Sequence, residues 1–210
     1  MRNTKSARKK ATIFATTAIA LTLTQTSCMS IPASAKGSEE EKVRSGSAVI
    51  CTEQQPSGHR WVKAKILIHA PPEVVWETVH EERSKDPDLA YSKVLHQENN
   101  ELTLEQKFVL LPVIGTATCV MSNAEEPLHR IDYRLLESDH FRAMEGSWVL
   151  TPQESGKDTL LELSSYLELG FPVPRPILDT LTARKLERRI TNVKLMAERT
   201  QSRIAHKLSS

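Results

Sequence analysis

Hydrophobic and polar positions alternate with a period of two along most of this chain, then shift to a period near 3.6 at its end. The clearest alternation spans 59–69. Val62, Ala64, Ile66 and Ile68 fall on one side there and Lys63 and Lys65 on the other, the pattern of a half-buried strand. A shorter strand-like run, 48–53, precedes it across Gln54-Gln55-Pro56-Ser57-Gly58, a turn composition. Ala70-Pro71-Pro72-Glu73 ends the strand and opens a helix, because proline loses nothing in the first turn and Glu73 complements the positive end of the helix dipole. Val74, Val75, Trp76 and Val79 give that helix an apolar side, and Asp86-Pro87-Asp88 breaks it.

Six further strands are expected at 91–97, 101–110, 114–122, 128–136, 141–151 and 158–169. They are punctuated by Asn99-Asn100, Pro112 with Gly115, Pro127, Ser138-Asp139 and the stretch from Pro152 to Asp158. Connections this short make neighbouring strands pair as an antiparallel meander. After Phe171-Pro172-Val173-Pro174-Arg175-Pro176 the period turns helical. Ile177, Leu181, Leu186, Ile190, Val193, Ala197 and Ile204 trace one stripe, with Arg184, Lys185, Arg188, Lys194, Arg199 and Arg203 opposite. The pattern runs for about 30 residues, or roughly 45 Å, enough to cross a whole sheet. The elements thus predict an α+β domain.

The N-terminus carries a different signal. Arg2, Lys5, Arg8, Lys9 and Lys10 form a basic head, a mostly apolar run covers 11–23, and Ala33-Ser34-Ala35 supplies a small-x-small exit. Those are the three parts of a secretory signal peptide, here residues 1–35, and the apolar run falls short of the about 20 residues a membrane span needs. A short uncleaved anchor is the alternative. Cys28 opens another, since a lipoprotein signal ends in a cysteine that receives lipid, but Gln25 stands where such signals usually carry leucine. Cleavage after Ala35 makes the protein exported, to periplasm or exterior, with a membrane anchor through Cys28 as the variant. Residues 36–47 read as a flexible leader and 48–207 as the folded domain.

Export changes the charge. The full chain has 28 basic and 26 acidic residues, net +2, but five of the basic residues sit in the signal, which leaves 23 against 26. No global charge then favours nucleic acid as a partner. Cys51 and Cys119 would remain, and an oxidising compartment permits a disulfide if they lie on facing strands, while two buried thiols fit the sequence equally well. The seven histidines are scattered with no HxxxH or HxH pair, so no metal site is expected, nor any cofactor.

Four stretches resemble the START-like (SRPBCC) superfamily, in particular its polyketide cyclase/dehydrase and coenzyme Q-binding START-type members. Ile66-Leu67-Ile68-His69-Ala70-Pro71-Pro72-Glu73-Val74-Val75-Trp76 resembles the opening strand-to-helix junction, and Gly146-Ser147-Trp148-Val149-Leu150 a "G-x-W" strand. Asp158-Thr159-Leu160-Leu161-Glu162-Leu163 is similar to the strand that follows, and Phe171-Pro172-Val173-Pro174 to the entry of the last helix. The likeness covers about 48–205. It implies the helix-grip fold, a curved antiparallel sheet wrapped around a long C-terminal helix. The polar segment Glu81-Glu82-Arg83-Ser84-Lys85-Asp86-Pro87 departs from the family pattern and puts one wall of any cavity in doubt.

A helix-grip protein encloses its cavity with the inward strand faces. Alternation turns Leu104, Gln106, Phe108 and Leu110 inward, together with Ile131, Tyr133 and Leu135, then Met144, Gly146 and Trp148, then Leu161, Leu163, Ser165 and Leu167. The candidate ligand-binding set is Leu104, Gln106, Phe108, Tyr133, Met144, Trp148, Leu163 and Ser165, with Ile177 and Leu181 closing the space from the helix. An apolar face with few polar groups suits a small hydrophobic or lipid-like ligand, although the same residues could pack a solid core. No inward acid, base or nucleophile stands out, so the set contains no catalytic residue.

Alternate connections of a meander share one end of the sheet. With those after the third, fifth and seventh strands grouped, the apolar loops Leu110-Leu111-Pro112-Val113-Ile114 and Phe171-Pro172-Val173-Pro174 meet at one rim, as mutual packing or as a greasy ligand entrance. The expectation is a monomeric, exported START-like domain that binds an apolar molecule without transforming it. The basic side of the last helix reads as the charged outer face of a surface helix, interrupted by Glu187 and Glu198, with peripheral membrane contact as the alternative. A cyclase- or hydrolase-type enzyme on an apolar substrate and an envelope assembly factor are the alternatives.

Overall fold

The computed structural model describes residues 33–109 and 115–209. The basic head, the apolar run and Cys28 lie outside the described residues, as does the loop 110–114. Among the described residues no helix is long and apolar enough to cross a membrane. Part of the expected leader is helical, as α1 (Ala33–Arg44), where Glu39, Glu40, Glu41 and Lys42 are good helix formers.

The strands are β1 (Val49–Gln54), β2 (Arg60–Ile68), β3 (Leu89–Glu98), β4 (Glu101–Val109), β5 (Thr116–Glu126), β6 (Arg130–Ser138), β7 (Phe141–Gln153) and β8 (Asp158–Leu169). The remaining helices are α2 (Pro72–Ser84) and α3 (Arg175–Leu208). One sheet holds all eight strands in the order β1-β2-β8-β7-β6-β5-β4-β3, each pair antiparallel. The connections that share the end near α3's start therefore follow β4, β6 and β8, not the third, fifth and seventh strands. Of the two apolar loops expected at one rim, 110–114 lies outside the described residues, and 171–174 joins β8 to α3.

Alternation decides the strands. In β2, Val62, Ala64, Ile66 and Ile68 are buried and their neighbours are not. Asn99 takes φ 50° in the two-residue turn between β3 and β4, a left-handed conformation that asparagine tolerates better than most residues. Pro71 and Pro72 open α2, and the helix stops two residues before Pro87, whose ring disfavours helical geometry at Asp86. The Thr159 hydroxyl donates to the Ala70 carbonyl at 2.9 Å and pins the β2–α2 junction to β8.

Helix α3 runs for 34 residues and buries Leu178, Leu186, Ile190, Val193 and Ala197. The expected stripe was right from Leu186 to Ala197 and wrong at its ends. Ile177 precedes Leu186 by nine residues, which at 3.6 per turn puts it half a turn away, and it is 54% exposed. Leu178 takes the inward place. Ile204 shares the face of Ala197 but is exposed near the helix end. The main core joins β2, β6, β7 and β8 to α2 and α3 through Ile66, Val79, Ile131, Trp148, Leu163 and Ile190. A second cluster, Ala117, Cys119, Met121 and Phe141, forms on β5 and β7. Strand β3 is a sheet edge exposed along nearly its whole length.

The Cys51–Cys119 pairing fails. Both thiols are free, and β1 and β5 are separated by four strands, so at about 4.8 Å per step they lie far beyond disulfide reach of about 7 Å. Burial pushes both thiols up from their ordinary pKa.

Candidate functional site

A cavity of about 570 Å³ lies between the sheet and the N-terminal half of α3. Its sheet wall is built from the inward faces of β4 to β8. Gln106, Phe108, Tyr133, Met144, Trp148, Leu163 and Ser165 all line it, and Leu181 closes it from the helix. Leu104 does not reach it. That side chain is buried on the same face, two residues nearer the β3–β4 turn and opposite Met121. Ile177 points away, as the helical geometry requires, and Leu178 lines the cavity in its place.

Trp148 is 0% exposed and belongs both to the main core and to the cavity wall. The sequence left solid core and cavity open as alternatives, and the fold contains both. The core fills the space where α3 crosses β2 and β8, and the cavity occupies the space under residues 178–189. Phe171 stands at the cavity, in the position expected of the second apolar loop.

The expected polar anchors are already engaged, Ser165 with Tyr133. The Tyr133 hydroxyl donates to the Ser164 carbonyl at 3.2 Å, and the Gln106 amide donates to Ser92 Oγ at 3.2 Å. Burial raises the Tyr133 pKa, so its hydroxyl keeps its proton. The bond depends on Gly146. A Cβ there would stand 2.5 Å from Tyr133 Cζ and closer still to Tyr133 Oη and Ser164 O.

What the sequence reading missed is the charged wall opposite the sheet. The polar segment after Glu81 forms the last turn of α2 and the approach to β3, and it places Arg83, Asp86 and Asp88 on the cavity. Buried Arg189 of α3 forks onto buried Glu82, Nε to Oε1 at 3.0 Å and Nη2 to Oε2 at 2.7 Å, with Asp86 at 3.7 Å. Its guanidinium carbon stands 5.0 Å from the centre of the Trp148 ring, over its face. Burial alone would lower the Arg189 pKa, but the bond and charge of Glu82 outweigh that and raise it. Lys185 and Arg188 reach Asp88 at 3.0 and 3.1 Å. Burial pushes the Asp88 carboxyl up, yet these two cations hold it below its ordinary range.

Those contacts give part of the basic helix face a structural role. Lys185 and Arg188 are tied to α2's end, and Lys194 donates to the Leu67 carbonyl and to Glu198, so three of its six cations serve the fold. Arg83 is placed differently. Its Nη2 donates to Asn123 Oδ1 at 3.0 Å and its Nη1 reaches Glu125 at 3.4 Å, while Glu125 also meets His80 Nε2 at 3.2 Å. Burial pulls the Arg83 guanidinium down from its ordinary pKa, against the pull of Glu125. The sequence did hold one signal for this wall, the excess of charge between Glu81 and Asp88, but not which α3 cations would face it.

Solved structures share the architecture. A START superfamily protein from Mycobacterium smegmatis superposes with a TM-score of 0.57 at 20% identity, over 68% of this chain and 99% of that one. The STAR-related lipid transfer protein from Xanthomonas axonopodis gives 0.56 at 13% identity, over 71% and 93%. The Zhui aromatase/cyclase from Streptomyces sp. R1128 gives 0.53 at 16% identity, over 69% and 94%. At these identities the likeness is one of fold. Among curated proteins none matches the chain. The family model described as polyketide cyclase / dehydrase and lipid transport matches residues 59–197, from β2 to the last third of α3. That match takes in both walls of the cavity and most of the chain, and this protein, with its START-like helix-grip fold, belongs to the polyketide cyclase/dehydrase and lipid transport family.

Proposed function

We propose that this domain binds one small hydrophobic or lipid-like molecule in the cavity between the sheet and α3, and holds or carries it without chemical change. The cavity itself carries the reading. Its volume of about 570 Å³ falls within the range of small-molecule sites, roughly 300–1,000 Å³, and its sheet wall is Phe108, Met144, Leu163 and Leu167 beside Trp148. The lipid transfer protein among the structural neighbours and the family description are in line with such a ligand.

One observation bears on the enzyme alternative. Catalysis on an apolar substrate would draw on an ionisable group poised to move a proton, and the cavity wall does contain charges. Asp86 and Asp88 are ion-paired with α3, and the carboxylate behind them, Glu82, is held in Arg189's fork. Carboxylates committed in this way suit a wall that positions a ligand better than one that works as an acid or base.

We also propose that the protein acts after export as a monomer, with residues 1–35 removed, on the strength of the basic head, apolar run and Ala33-Ser34-Ala35 exit. The test is to purify the full-length product from the cell envelope, record its intact mass under native conditions, and extract what it carries. A reproducible apolar molecule released at one per chain is expected. A protein that repeatedly emerges empty and takes up no apolar compound would overturn the binding reading.

A further inference from the structure

The cavity is apolar on its sheet side, yet one corner of it holds a buried hydrogen-bond donor with nothing to receive it, beside an arginine. Asn123 on β5 is 3% exposed and lines the cavity. Its Oδ1 accepts from Arg83, and because a guanidinium only donates, the orientation of the amide is fixed, with the oxygen towards Arg83 and Nδ2 turned away. That Nδ2 is buried and finds no partner. A buried donor left unsatisfied is costly, and native structures leave few of them.

Arg83, beside it, is the least compensated of the two buried arginines. Arg189 has a bidentate carboxylate and a second one nearby. Arg83 has a neutral amide oxygen and the long contact to Glu125, a carboxylate it shares with His80. Two of its five N–H donors are engaged. An arginine with N–H groups to spare and an idle amide N–H therefore stand together on the wall of an otherwise greasy space.

We infer that Asn123 and Arg83 form a head-group site for the carboxylate of a single-chain acid whose tail lies along Phe108, Met144 and Leu163. This rests on the cavity reading above and deepens it. A carboxylate offers two planar acceptors, one for Asn123 Nδ2 and one for the Arg83 edge. Size selects the tail. At roughly 30 Å³ per water-sized group, a cavity of about 570 Å³ takes on the order of 19 non-hydrogen atoms. That is one medium or long acyl chain with its carboxyl group, and too little for a two-chain phospholipid.

Calorimetric titration of the full chain with laurate and with 1-dodecanol tests this, since the two share a tail and differ in the head. Laurate should bind at least about tenfold more tightly, the order expected of a hydrogen bond to a charged group. Asn123→Asp keeps the shape and the bond to Arg83 while placing a negative charge where the carboxylate would sit. It should abolish the preference for laurate over dodecanol, so that the ratio of the two affinities falls to about one. Arg83→Met should do the same and serves if the first variant does not fold. Equal affinity of the unaltered protein for both compounds, or undiminished laurate binding by the folded variants, overturns the head-group site while the cavity reading stands. Binding of neither compound overturns both.

Discussion

Replacing Trp148 with alanine separates the structural share of the cavity wall from its binding share. The side chain is 0% exposed and packs with Ile131, Leu163 and Ile190, while one part of it meets the cavity and Arg189 covers its ring at 5.0 Å. A tryptophan buries about 150–250 Å², worth on the order of 4–6 kcal/mol at about 25 cal/mol per Å². Alanine keeps a little of that, so the transfer loss is roughly 3–5 kcal/mol, the usual range for Trp→Ala in a core. Two local effects move it in opposite directions. The void opens into a cavity that water can enter, which weakens the penalty for empty space. Arg189 loses the ring beneath it, a contribution of about 0.5–2 kcal/mol when desolvated. The expected loss is therefore about 3–5 kcal/mol, a large part of the about 5–15 kcal/mol available to a domain. Equilibrium unfolding in urea measures it, with Trp148→Phe retaining most of the stability and serving as the folded control for ligand retention. A loss below about 1.5 kcal/mol would show that Trp148 is a cavity lining and not a core residue, and would refute the placement of the core under α3.

Other outcomes follow from the same geometry. Gly146→Ala should cost at least about 1–3 kcal/mol by urea unfolding, because the added methyl meets the Ser164 carbonyl and the Tyr133 ring, and a loss near zero would contradict the passage of the Tyr133 side chain over Gly146. Arg189→Met alone should destabilise by about 3–5 kcal/mol by leaving Glu82 buried and unpaired, while the double change with Glu82→Leu should recover much of it, and equal losses in both would place the pair in solvent. Asp88 and Glu198 both have carboxyl pKa values held below the ordinary range, the first by Lys185 and Arg188 and the second by Lys194, each against the opposing push of burial. Groups depressed in the folded state contribute fully above their unfolded value near 4 and lose that contribution as pH falls through the folded one. A urea midpoint that declines with acid below about pH 4 in the parent, and declines less in Asp88→Asn, is expected; identical profiles would refute it. Both Cys51 and Cys119 should alkylate in denaturant without reductant, with Cys119 slow in the native protein, and a mass two hydrogens lighter would mean a disulfide.

The sheet and the last helix were legible because alternation and helical period survive wherever one side of an element faces a core. β2 and most of β8 carry continuous alternation, and the order from β3 to β8 follows from connections too short for anything but antiparallel neighbours. At the start of α3 Leu181 closes the cavity as expected, whereas Ile177 was misread: it is apolar and four residues before Leu181, but half a turn away from Leu186 and the buried stripe. The charged wall was harder. Glu82, Arg83 and Asp86 look like a solvated stretch in sequence, and what buries them is Arg189, Lys185 and Asn123, contributed by elements far along the chain. Patterns of burial are local, and ion pairs between α2, α3 and β5 are not. Most of the apolar sheet wall could be read off the strands, and the polar corner could not.

The pairing of β2 with β8 has a consequence in time. Val62 lies opposite Ser165, about a hundred residues later in the chain, and β2 has no other inner neighbour. The first hairpin to emerge must therefore wait, with the Val62–Ile68 stripe bare, until nearly the whole sequence is available to cover it. Closing so long a loop is entropically unfavourable and slow, and it comes before the contacts that reward it. The meander from β3 to β7 can assemble from neighbours alone, but the two halves join only when β8 arrives and α3 lies down across them. A chain cut short before residue 158 would keep five paired strands, an orphaned hairpin and no cavity. Completion of the fold is thus a late event, and a chain held unfolded until its last residues are present loses little by the delay.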